Sequence, residues 1–269
     1  MAGSFYLEIW KFGNLQVSRF TIPMVYVGTA GWNIPRAHKP RFSAEGSQLA
    51  RYAARLNAAE INTAFYRSHQ PVTYARWAAG VPADFRFAVK VPKLITHERG
   101  LTRAREPLER FLGEIAGLGP KLGPLLIQLP PSHAFDARRV GRFLELLRDR
   151  HGGPVVCEPR HVTWTSAAAA RLLERFRVAR VAADPPRATG LEHPGGWTGL
   201  VYYRWHGSPR PYFSSYSAAQ LSDLATALRG SAADAWCIFD NTGSGSAAAN
   251  ALDLRNRLGS AVERPTADL

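Results

Sequence analysis

Residues 154–184 read PVVCEPRHVTWTSAAAARLLERFRVARVAAD. Three textures follow one another here. PVVCE (154–158) is apolar and ends on Glu158, with Arg160 just after. TSAAAARLLERF (165–176) has the alanine- and leucine-rich texture of a helix. VARVAAD (178–184) is apolar again and ends on Asp184. A strand, a helix and a second strand in this order form a right-handed unit whose strands run parallel.

The same alternation extends in both directions. Upstream stand VYVGTAG (25–31) before Trp32, AEIN (59–62), FRFAVK (85–90) and PLLIQL (124–129). Downstream stand VYYRWH (201–206) and WCIFDN (236–241). Between them lie helical stretches such as SAEGSQLARYAARLN (43–57), REPLERFLGEIAGLG (105–119) and SAAQLSDLATALRG (217–230). Strand followed by helix along most of the chain predicts an α/β fold, a closed (β/α)8 TIM-type barrel of parallel strands. No GxGxxG follows the first strand, so a dinucleotide-type open sheet lacks its usual support. Residues 185–199 hold no helical stripe, and the sixth helix is expected to be missing or replaced by a loop. One barrel domain is expected over 24–269, with 1–23 as an N-terminal extension or hairpin.

Composition bounds the function. The chain has 269 residues, 46% of them apolar, which excludes wholesale disorder. No apolar run reaches the roughly 18 residues of a membrane helix, and no signal peptide is evident. Cys157 and Cys237 read as buried hydrophobes, no Cys/His cluster suggests zinc, and a cytoplasmic protein is expected. The net charge is +13, with 34 basic against 21 acidic residues. A small anionic ligand is the favoured partner, nucleic acid the alternative, and no membrane is expected.

Strand parity places polar groups at one mouth of the barrel. Side chains alternate along a strand. In FRFAVK, Phe85, Phe87 and Val89 suit the helix-facing side, which leaves Lys90 inside. The same reasoning gathers Glu60, Asn62, Lys90, Gln128, Glu158, Arg160, Asp184, Arg204 and His206 at the carboxyl ends. Acids, bases and hydrogen-bond donors in one concave space suit a reaction site.

At these segments the chain resembles the DUF72, or YecE-like, family. VGTAGW, EINTAFYR, FRFAVKVPKLITHER, LIQLPPS, EPRHVTW, YYRWHG and FDNT occur in the order that family shows, over about residues 24–258. The resemblance implies a TIM-type barrel and no established activity. It adds Tyr66, Arg67, His97, Glu98, His161 and Asn241 to the motif positions of interest. Ala30 stands where the family commonly has a serine, and Asp240-Asn241 where it often has two asparagines.

The favoured reading is an enzyme acting on a small anionic, phosphorylated substrate by general acid/base chemistry. Glu60, Lys90, Glu158 and His206 are the catalytic candidates. Asn62, Tyr66, Gln128, Arg160, Asp184, Arg204 and Asn241 are the substrate-binding candidates. No cofactor and no metal are expected, because Lys90 and two arginines crowd the mouth. The alternative is a metal-dependent phosphodiesterase or a non-catalytic nucleic-acid-binding protein.

Overall fold

The computed structural model describes residues 23–259. The expected extension over 1–23 thus lies, Pro23 apart, outside the described residues. Strands are β1 (Val25–Ala30), β2 (Ala58–Ile61), β3 (Arg86–Lys90), β4 (Leu122–Gln128), β5 (Val155–Glu158), β6 (Val178–Arg180), β7 (Ala182–Asp184), β8 (Gly195–Gly196), β9 (Val201–Trp205) and β10 (Ala235–Phe239). Helices are α1 (Gln48–Ala53), α2 (Thr63–Tyr66), α3 (Pro71–Ala79), α4 (Arg105–Ile115), α5 (Ala137–Arg148), α6 (Ala167–Arg175), α7 (Ala218–Arg229) and α8 (Ser246–Leu258).

The expected eight-stranded, all-parallel TIM-type barrel is corrected by the sheet itself. Ten strands form one mixed, nearly closed barrel in the order β7-β9-β10-β1-β2-β3-β4-β5-β6-β8. VARVAAD forms two strands, because its ladder changes partner at Val181. β6 pairs with β5, whereas β7 pairs with β9. Gly195 and Gly196 then lie antiparallel to Arg180 and Ala179. No helix occurs between β7 and β9.

Local chemistry explains the helix starts. The Asp136 carboxylate accepts from Arg139 N at 2.9 Å and caps α5. Ser217 and Gln220 form a reciprocal capping box on α7. The apolar residues divide into two layers. The larger lies between strands and helices and includes Phe87, Leu108, Phe111, Phe143, Leu147 and Leu254. The smaller fills the inside of the barrel with Tyr26, Leu126, Val156, Val181, Tyr202, Trp236 and Ile238. Tyr26 stacks on Trp236 with centroids 4.6 Å apart, and Trp236 on Tyr202 at 5.9 Å. This stack fills the lower interior with aromatic rings, and the inward polar side chains lie toward the carboxyl-end mouth.

Gly28 of β1 lies opposite Ala58 of β2. A Cβ there would lie 2.1 Å from the Ala58 carbonyl oxygen, a backbone atom that cannot step aside. Gly28→Ala is expected to destabilise the protein by about 1–3 kcal/mol, as overpacking does. Denaturant unfolding checks this, and unchanged stability would contradict the close approach.

Candidate functional site

The inner face of each strand decides what reaches the mouth. Ala88 is in the inner layer, so Lys90 follows it inward. By the same alternation Leu126 leads to Gln128, Val156 to Glu158, and Tyr202 to Arg204 and His206. These side chains converge. Arg204 is 1% exposed and sits at the centre. Its Nη2 and Nε donate to Glu60 at 2.8 and 3.1 Å, and its Nη1 donates to Glu158 Oε2 at 3.0 Å. Its Nη2 also lies 3.0 Å from Asp240 Oδ2.

Glu158 is the second hub. Its Oε1 accepts from Gln128 Nε2 and Arg160 Nε, both at 3.0 Å. Arg160 Nη2 lies 2.9 Å from the same oxygen, and His206 Nε2 lies 3.3 Å from it. His206 Nδ1 meets Asp240 Oδ2 at 3.0 Å, which holds the imidazole between two carboxylates. Tyr202 donates its hydroxyl to Glu60 Oε2 at 3.0 Å. Within this cluster three carboxylates (Glu60, Glu158, Asp240) face two guanidiniums (Arg204, Arg160) and the His206 imidazole.

Electrostatics follow from this arrangement. Burial alone would raise the Glu158 carboxyl, but Arg204, His206 and Arg160 hold it well below the ordinary carboxylate range. Burial would likewise raise Asp240, yet Arg204 and His206 lower it. Burial would lower His206, and Glu158 and Asp240 outweigh that and raise it. The imidazole therefore holds its proton to higher pH than an ordinary histidine. Lys90 differs. It is 6% exposed, and its Nζ lies 3.9 Å from the centre of the Phe65 ring. It forms no hydrogen bond or ion pair with a described residue. Burial first and Arg204 second bring its ammonium down to about 8, against the pull of Glu60, Glu158 and Asp240. His97 stands near this edge, with its ring 5.0 Å from Phe65. Burial, then Lys90 and Arg160, push it down to about 4 and keep it neutral.

These two histidines should titrate on opposite sides of the ordinary value. His206 is expected above 6.5 and His97 near 4 in two-bond proton–nitrogen NMR spectra. The stabilisation from His206 is full below pH 6.5 and fades as pH rises through its raised value. The stability change from His97 has the other sense. As pH falls from 6.5 toward 4, the unfolded chain takes a proton that the folded chain refuses, so stability drops. A His206 value below 6.5 would contradict the clamp between two carboxylates.

Other residues named from the sequence fall elsewhere. Asp184 is aligned with Trp205, whose ring packs on the outer layer, while its neighbour Ala183 is aligned with Arg204. Asp184 therefore faces outward and accepts from the Tyr216 hydroxyl at 2.8 Å. Arg204 lies beneath the mouth with its donors committed to carboxylates, so it organises the site rather than presenting a free guanidinium. Glu60, fully buried below Arg204, is equally out of reach. Asn241 is buried and donates to Ser214 O and Asn250 Oδ1, which ties the loop after β9 to α8. Asn62 begins α2, and its buried Oδ1 has no partner among the described residues. Tyr66 is 77% exposed and lines a groove of about 410 Å³ with Phe65, Arg67, Lys93, Glu98 and Arg110. His161 accepts from Thr163 N at 3.3 Å and starts a turn.

Asp240 was noted in the sequence but not placed at the mouth, and Tyr202 and Phe65 escaped the sequence reading. Asp240 shares parity with Trp236 and Ile238 in WCIFD, and Tyr202 shares parity with Arg204, so both carried a usable signal. Phe65 sits in the short helix α2 and carried none.

The family model for DUF72, a protein of unknown function, matches residues 26–268. The chain belongs to the DUF72 family. It is 31% identical over 107 residues to the UPF0759 protein YecE of Escherichia coli K12, covering 40% of this chain and 38% of that protein. It is 27% identical over 151 residues to the UPF0759 protein YunF of Bacillus subtilis, covering 53% of each. The matches thus span about half or less of these curated relatives. A DUF72 crystal structure from Enterococcus faecalis aligns with TM-score 0.74 at 22% identity, covering 87% of this chain and 95% of that one. One from Thermotoga maritima aligns with TM-score 0.71 at 25% identity, covering 87% and 99%. Among the described residues no helix is long and apolar enough to cross a membrane.

Proposed function

We propose that this protein is an enzyme acting on a small anionic, phosphorylated substrate by general acid/base chemistry at the carboxyl-end mouth of its barrel. The observation that carries the reading is the charge pattern of the mouth. Arg204 neutralises the carboxylates, while Lys90 is left without an ion-pair partner among the described residues and Arg160 is only partly buried. Arg160 is anchored through Nε and Nη2 to Glu158, and its Nη1 has no partner among the described residues. That nitrogen and the Lys90 ammonium can receive anionic oxygens.

His206 is the proton donor in this reading. Two carboxylates raise its imidazole above the ordinary value and so favour the protonated form. Glu158 suits the role of base poorly. A carboxylate held far below its usual range binds a proton weakly. Its part is to orient Arg160 and His206 and to favour the protonated form of His206. Proton acceptance falls to His206 after it has donated, or to Lys90 in its neutral form. The metal-dependent alternative is less well served, because Glu60, Glu158 and Asp240 are all engaged by Arg204.

Arg160→Met tests the anion site without disturbing Arg204. Binding of inorganic phosphate at low salt, followed by calorimetry, is expected to weaken about tenfold or more, as loss of one charge-assisted contact implies. Unchanged phosphate affinity would overturn the proposal.

A further inference from the structure

We infer that Lys90 is a nucleophilic amine that captures the carbonyl carbon of an aldehyde or ketone substrate as a Schiff base. This rests on the anionic-substrate reading above and narrows the substrate class to carbonyl compounds bearing a phosphate or similar group. Three observations carry it.

The first is charge balance. Glu60, Glu158 and Asp240 each already lie within 3.3 Å of Arg204, Arg160 or the His206 ring, whose proton affinity they raise. The ion cluster is complete without Lys90. A lysine that served as a counter-ion would be paired, and this one is not. The second is position. Lys90 ends β3 beside the inward Ala88, and its Nζ is held over the face of Phe65. The amine is therefore fixed at the end of a rigid strand and, like Arg160, close enough to His97 to depress its titration. The third is desolvation. With its ammonium near 8, about a tenth of the amine is neutral at pH 7, against well under a thousandth for an ordinary lysine.

The step balances as follows. The neutral Nζ lone pair attacks the carbonyl carbon, a C–N bond forms, and the oxygen takes a proton from His206. The attacking nitrogen gives up one proton, which can return to His206. The resulting carbinolamine expels its hydroxyl as water with a proton from the same histidine, leaving a protonated imine on Lys90. Hydrolysis reverses each step and restores the amine. Arg160 would hold the anionic group while the carbonyl faces Lys90.

The experiment treats the full chain with glycolaldehyde phosphate and sodium cyanoborohydride, which reduces an imine to a stable secondary amine. Peptide mass mapping then compares Lys90 with Lys11, Lys39, Lys93 and Lys121. The expected result is modification of Lys90 at least tenfold faster than the other lysines, rising with pH to a midpoint of about 8. Inorganic phosphate should slow it, and unphosphorylated glycolaldehyde should react more slowly. Labelling of Lys90 no faster than of Lys93 overturns the inference. If phosphate still binds in that case, the anion-site reading survives alone. Selective Lys90 labelling that phosphate does not slow supports the amine and instead sinks the anion site. Because the readout is on the unmodified protein, no variant has to fold.

Discussion

Arg204→Met is expected to destabilise the protein by about 3–5 kcal/mol, the usual cost of breaking a buried ion pair from one side. The guanidinium is 1% exposed and holds together Glu60 of β2, Glu158 of β5 and Asp240 just past β10. Methionine fills similar space but leaves those carboxylates facing one another in a dry interior. The penalty should depend on pH. Glu158 and Asp240 have depressed values in the native protein, so their stabilisation is present at neutral pH and lost as pH falls through those values. In the variant they have lost their main cation and take up protons more readily. The stability gap between the two proteins should therefore shrink on acidification. Urea unfolding at neutral and mildly acidic pH measures both effects. A variant as stable as the parent at neutral pH would show that the cluster contributes nothing net to folding.

Glu158→Gln is expected to cost about 3 kcal/mol or more and to lower the His206 titration. The carboxylate is 1% exposed and accepts from Gln128, Arg160 and Arg204, with His206 beside it. An amide keeps the shape, removes the charge and turns one acceptor into a donor aimed at other donors. His206 would lose the largest influence that raises it, so its imidazole should deprotonate at lower pH than in the parent. From sequence alone Glu158 reads as a catalytic candidate, with no sign of a structural load. Its burial and its donors argue otherwise. Urea unfolding with histidine NMR separates the two consequences. A stable variant with an unmoved His206 titration would contradict the geometry.

Much of the mouth was legible because most strands there have one clear inner phase. In FRFAVK and WCIFD the bulky residues declare one face, and the polar residue at the end follows from alternation. VARVAAD declares nothing of the kind. Val178, Ala179, Val181, Ala182 and Ala183 are all buried, so both faces are apolar and the period-two signal is silent. Asp184 was accordingly set inside when it faces out. The same silence hid the break at Val181. Gly195 and Gly196 carry no side chain to mark a strand, and glycine is depleted in strands, so the antiparallel pairing was invisible. The roles of Arg204 and Lys90 were illegible for another reason. Parity places both inward but cannot say which carboxylates reach which cation. Only the three-dimensional pairing shows that Arg204 is fully engaged and Lys90 is not.

The most direct test of the account is a proton–nitrogen NMR titration of the Lys90 ammonium in the intact protein. A side-chain titration midpoint near 8 is the result the account requires, since it reports a buried amine that the ion cluster below leaves over. A midpoint at or above the ordinary lysine value of about 10.4 would mean that Lys90 is solvated or paired, and the proposed capture chemistry would lose its nucleophile.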